Sequence, residues 1–150
     1  MQVPASTQAG IAIRLRRRFA SPRERVFRAW TEPEALKRWW CPPGWTPAEI
    51  EVDLRVGGAY RIGMRRIDGG TPVYVRGRFL EVRAPEKLVY TWRWDGAFED
   101  LPETLITVEF LNVAGATEVV LQHEGFPDLT LRQQHRSGWI AACDRMELVL

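Results

Sequence analysis

The 150-residue sequence predicts an α+β fold, a seven-stranded curved antiparallel sheet wrapped round a long C-terminal helix with two short helices after the first strand. Three observations predict it. Apolar and polar residues alternate through seven separate stretches, the mark of strands buried on one face. Two helix-start signals follow the first of these stretches and none interrupts the other six. The C-terminal residues then switch to an apolar repeat of three and four.

The first strand is "IAIRLRRRF", where Ile11, Ile13, Leu15 and Phe19 alternate with Arg14, Arg16 and Arg18. In "SPRERVFRAW", Ser21 reads as the N-cap, Pro22 as the first helical residue and Glu24 as the completing member of an S-x-x-E capping box. "TEPEALKRWW" repeats the device with Thr31 and Glu34, and Pro42 ends this second helix. From Ala48 to about Glu124, turn signals at "VGG", "DGG", "APEK", "DGAFEDLPE" and "AGA" divide the chain into six strands. Their inward faces read Ile50, Val52, Leu54; Tyr60, Ile62, Met64; Val73, Val75, Gly77, Phe79; Leu88, Tyr90, Trp92, Trp94; Ile106, Val108, Phe110; and Val119, Leu121, His123. Asp128 is placed to cap the last helix, whose stripe is Leu131, His135, Trp139, Cys143, Met146 and Leu150. Gly138 interrupts that helix at a cost of about 1 kcal/mol relative to alanine, and close approach of helix to sheet is the expected compensation.

Composition bounds the function. At 45% hydrophobic and 27% charged residues the chain is ordinary globular material and one domain over 1–150, with a loose polar tail over 1–10. "MQVPASTQAG" lacks the layout of a signal peptide and no apolar run is long enough to span a bilayer, so a cytoplasmic protein without membrane insertion is expected. Arginine supplies nineteen of the twenty-one basic residues, but nineteen acidic residues are interspersed with them, so the arginine cluster at 14–18 reads as a solvated strand face rather than a nucleic-acid surface. Cys41 and Cys143 fit no paired ligand or redox spacing and read as buried free thiols. No metal or cofactor is expected: the two cysteines and the two histidines lack close spacing, and neither "VGG" nor "DGG" opens a helix as a phosphate loop would. Of the serines, Ser6, Ser21 and Ser137, none stands out as a nucleophile.

The least ordinary stretch is "KRWWCPPGWTP", with three tryptophans in eleven residues. Adjacent helical residues point about 100° apart, so Trp39 and Trp40 cannot both face the core. One is expected to roof the space between sheet and helix and the other to seal its edge, with Trp45 held near the same mouth by the prolines. Whether these rings line a cavity or plug it depends on the volumes opposite. His123 and His135 both point to the same interior, where a satisfied hydrogen-bonded pair is favoured over proton transfer.

Phe19 to Trp40, the Gly57–Gly58 pair leading into Tyr60, "LQHEGFPD" from Leu121 and "HRSGW" from His135, in this order, resemble the activator of heat-shock-protein 90 ATPase homologue family, within the START-like (SRPBCC) superfamily. The resemblance spans nearly the whole chain and implies the helix-grip fold. It also implies an interior that takes apolar or aromatic small molecules, used for catalysis in some branches of the superfamily. The co-chaperones that named the family carry a further N-terminal domain for which 150 residues leave no room, so chaperone ATPase activation is not expected. The residues and the resemblance together lead to an expected binder of an apolar or aromatic small molecule, without chemistry of its own. Its site is expected among Trp40, Trp45, Tyr60, Met64, Phe79, Tyr90, Trp92, Phe110, His123, His135 and Trp139. Two alternatives stay open: a cyclase- or hydrolase-type enzyme using His123 or His135 as general acid or base, and a protein-interaction module related to the chaperone activators. An exposed apolar patch would also admit a homodimer.

Overall fold

The computed structural model describes residues 11–150; the expected loose tail at 1–10 lies outside them. In chain order the elements are β1 (Ala12–Phe19), α1 (Arg23–Thr31), α2 (Pro33–Trp39), β2 (Trp45–Val52), β3 (Ala59–Arg66), β4 (Val73–Arg83), β5 (Lys87–Asp95), a 3-10 turn at Gly96–Phe98, β6 (Thr104–Val113), β7 (Ala116–Glu124) and α3 (Leu129–Val149). One antiparallel sheet runs β1-β7-β6-β5-β4-β3-β2 and curls round α3, the predicted helix grip. Every neighbour from β2 to β7 is also the next in sequence, and β1 closes the far edge against β7 with Ile13 opposite His123 and Phe19 opposite Thr117.

The alternation in the sequence becomes the two faces of the sheet. Ile106, Val108 and Phe110 are fully buried, as are Val75 and Leu88, whereas Arg14, Arg16 and Arg18 face outward. The exception in β1 is Arg17, which shares the inward parity of Ile13 and Phe19 and reaches the end of α3 to bond Asp144 (2.6 Å) and Glu147 (2.8 Å). Gly77 in β4 has a local reason: a Cβ there would lie 2.0 Å from the Thr91 carbonyl oxygen, which accepts the Tyr60 hydroxyl at 2.6 Å.

Four local expectations need correction. Ser21 caps nothing: α1 starts one residue later, Pro22 holds the cap position without a side-chain bond, and the Ser21 carbonyl accepts the Thr117 hydroxyl (2.7 Å) instead. Thr31 belongs to the last turn of α1, its hydroxyl drawn back to the Phe27 carbonyl (2.9 Å), so Glu32 stands before Pro33 at the start of α2. Leu54 is 38% exposed because β2 ends at Val52 and the chain turns at Asp53–Arg55. Trp45 is the first residue of β2 rather than part of the preceding loop, paired with Arg66, whose guanidinium lies over its ring at 5.4 Å. The Asp128 cap forms as read, with its carboxylate accepting Leu131 N–H at 2.8 Å.

Helices α1 and α2 fill one end of the grip. Val26, Phe27 and Trp30 from α1 and Leu36 and Trp39 from α2 are buried with Phe110, the rings meeting edge-on at 5.2 Å (Phe27–Phe110) and 5.7 Å (Trp30–Phe110). Each fully buried apolar side chain of this size contributes about 1.5–3 kcal/mol relative to exposure. That packing fixes α2, and α2 positions Trp40 at the edge of the other end.

Candidate functional site

Trp39 and Trp40 diverge as helical geometry requires. Trp39 is 1% exposed and donates its indole N–H to the Ala29 carbonyl (2.9 Å), so it is core. Trp40 caps α2 and turns toward α3, its ring 5.6 Å from Trp92 and 6.4 Å from Trp139. Beyond it, between the β3–β5 side of the sheet and α3, lies a cavity of about 300 Å³. Trp40, Met64, Trp92 and Trp94 form one wall, Phe98 and Leu101 stand at its lip, and His135, Gly138, Trp139, Ala141, Ala142 and Arg145 form the helical wall.

Gly138 corrects the expectation of close helix-to-sheet approach. A Cβ built on it meets no atom within 4 Å. The glycine faces open space, and with Ala141 and Ala142 it keeps the helical wall of the cavity low.

Both histidines are bonded on both ring nitrogens. The Trp139 indole N–H donates to His123 Nδ1 (3.0 Å), so His123 carries its proton on Nε2 and donates it to Thr104 Oγ1 (2.7 Å). The Thr104 hydroxyl passes on to the Trp92 carbonyl (3.4 Å). In His135 the tautomer is the opposite: Trp94 N–H donates to Nε2 (3.0 Å) and Nδ1–H donates to the Leu131 carbonyl (3.1 Å). Each imidazole therefore gives its lone pair to an indole, and a second proton would set N–H against N–H. Burial pushes the pKa of His123 well below the usual histidine value, helped by His135 5.5 Å away between ring centroids. Burial lowers that of His135 too, against the Leu131 carbonyl, which raises it. Cys41 and Cys143 are free, and burial pushes both thiols up to about 11, so neither is a thiolate near neutrality.

The expected site residues thus divide. Trp40, Met64, Trp92, His135 and Trp139 share the 300 Å³ cavity. Tyr60, Phe79 and Tyr90, with Trp40 and Trp92 again, bound a separate space of only about 20 Å³. There the Tyr90 hydroxyl accepts the Trp30 N–H (3.0 Å) and burial raises the pKa of both tyrosines. Phe110 packs against α1, His123 lies behind Trp139, and Trp45 sits at the start of β2; none of the three lines either space. The lining residues outside the expected site are Pro42, Trp94, Phe98, Leu101, Leu131, Gln134, Gly138, Ala141, Ala142 and Arg145. A signal for four of them existed: Gly138, Ala141, Ala142 and Arg145 recur at helical spacing beside the apolar stripe.

Among the described residues no three His, Cys, Asp or Glu side chains gather as a metal-ligand set, and no helix is long and apolar enough to cross a membrane.

Comparisons with known proteins agree with this architecture. A Chromobacterium violaceum protein of known crystal structure is 31% identical, superposes with a TM-score of 0.83, and is matched over 93% of this chain and 96% of its own. A Nitrosomonas europaea protein is 26% identical at a TM-score of 0.77, over 93% of each chain. A Silicibacter pomeroyi AHSA1 protein shares the fold at 24% identity and a TM-score of 0.78, over 91% of this chain and 95% of its own. No curated protein matches the chain in sequence. The family model described as activator of Hsp90 ATPase homolog 1-like protein matches residues 20–150, and with the sheet curled round α3 and the relative at 31% identity, the chain belongs to that family.

Proposed function

We propose that this protein binds an apolar small molecule, aromatic or lipid-like, between the sheet and α3, and performs no chemistry on it. The observation that supports this most is the space itself. About 300 Å³ stands open between indole walls and a helix face of glycine and alanine, at the small end of the range for ligand sites. A helix-interior glycine costs about 1 kcal/mol, and no neighbour crowds the place of a Cβ at Gly138, so close packing does not account for it and room beside the helix does. Affinity would come from burying ligand surface at about 25 cal/mol per Å² less the cost of ordering.

The alternative of general acid–base catalysis finds no support in the imidazoles. A catalytic base needs a lone pair within reach of substrate, and the lone pairs of His123 and His135 are both held by tryptophan N–H groups. The reading is tested by thermal unfolding against a panel of fatty acids, flavonoids and polycyclic aromatics. A ligand at a hundred times its dissociation constant adds about 2.7 kcal/mol. A reproducible rise in midpoint with one chemical class is the expected result, and no response across the panel would overturn the reading.

A further inference from the structure

We propose that the ligand of the α3 cavity is an amphipathic acid, whose apolar body lies along Gly138, Ala141 and Ala142 and whose carboxylate is received by Arg145. The inference rests on the binding reading above and names the class of ligand.

Charge in the lining is uneven. Arg145 is the one formally charged residue in a lining otherwise built of aromatic and aliphatic side chains, Gln134 and a neutral His135. It is half-buried, and no acidic side chain approaches within 4 Å of it among the described residues. Its sequence neighbour Asp144 is bonded by Arg17 at 2.6 Å, and Glu147, further along α3, by the same guanidinium at 2.8 Å. Arg145 is held in place instead by neutral acceptors at the end of α2: its Nε donates to the Trp39 carbonyl (2.8 Å) and one Nη to the Trp40 carbonyl (3.1 Å). These bonds satisfy two helix-end carbonyls and fix the guanidinium; among the described residues no carboxylate pairs with it and no further acceptor takes its remaining N–H groups. Loss of hydration lowers its pKa, outweighing smaller opposing contributions that include the carboxylate of Asp144, itself bonded by Arg17. A fixed guanidinium fork suits a carboxylate. Along the helix, seven residues separate Gly138 from Arg145, about 10 Å at 1.5 Å per residue, which matches the length of a two-ring aromatic acid or a medium-chain fatty acid.

Matched pairs differing only in the head group test this: 2-naphthylacetic acid against 2-naphthylacetamide, and decanoic acid against decanamide, titrated by calorimetry. The expected result is that each acid binds wild-type protein about tenfold or more tighter than its amide. In Arg145→Met the acid and amide should bind within about twofold of each other, and Arg145→Lys should keep part of the preference. The lysine variant and the wild-type ratio carry the test if Arg145→Met does not fold. Equal affinity of acid and amide for wild type would overturn the head-group assignment and leave the apolar-binding reading standing. Silence of both pairs together with the whole neutral aromatic panel would overturn both.

Discussion

Beneath α1 and α2, the rings of Phe27, Trp30, Trp39 and Phe110 close on one another, and the space left beside them, under Tyr60, Phe79 and Tyr90, is about 20 Å³, room for one water. Beneath the middle of α3, Trp40, Trp92, Trp94 and Trp139 surround about 300 Å³. Both ends of the grip are walled by the same kinds of side chain, so aromatic content alone does not distinguish core from cavity. What differs is the element opposite. At the closed end two short helices push Phe27, Trp30 and Trp39 into the space; at the open end α3 presents glycine and alanine. Trp39 is packed wholly into the closed end, whereas Trp40, next in sequence, stands between the two and walls the open one, and that is why so much aromatic surface gathers in "KRWWCPPGWTP".

The largest effect expected from this contrast is at the closed end. Trp39→Ala should cost about 3–5 kcal/mol in urea unfolding, since the hole it leaves is surrounded by packed rings. Trp40→Ala, one residue along, should cost less than about 2 kcal/mol because its ring already borders open volume, while weakening any ligand response. Equal losses at the two positions would erase the distinction between the ends.

A second effect probes whether the wall behind the cavity is dry. The unfolded chain takes up protons on histidine near pH 6.5, whereas the folded protein holds His123 and His135 neutral to lower pH. The unfolded state therefore binds more protons as pH falls. Stability should be complete above about pH 6.5 and decline below it, approaching about 1.4 kcal/mol per pH unit for each histidine that stays neutral when folded. Denaturant unfolding at pH 7, 6 and 5 measures this, and a flat profile would mean that water or a counter-charge reaches the imidazoles.

How much of this was legible in the sequence follows from what each signal depends on. Strand faces apart from Leu54, the Asp128 cap and the shared interior of His123 and His135 depend on local period and parity, which tertiary context did not override. The helix starts depended on which hydrogen bond a hydroxyl chooses. At Thr31 the preceding turn of α1 offered the Phe27 carbonyl, and beside Ser21 the β7 hydroxyl of Thr117 took the backbone carbonyl. The division of candidate residues between two spaces depended on volumes across the fold, which no window of sequence contains. Gly138 was visible as an anomaly, but its sign was not: the same glycine would serve close packing or open space, and only the side facing it decides.

The smallest effect expected is the one that bears most directly on the comparison, because it converts the open end into a closed one. Gly138→Ala should raise stability by about 1 kcal/mol, since its Cβ meets nothing. Gly138→Leu goes further and fills the cavity with a better helix former. The decisive measurement is thermal unfolding of wild type and Gly138→Leu side by side against the same apolar panel. Gly138→Leu should melt no lower than wild type without ligand and should not respond to compounds that raise the wild-type midpoint. Equal responses in the two proteins, or none in wild type, would contradict this.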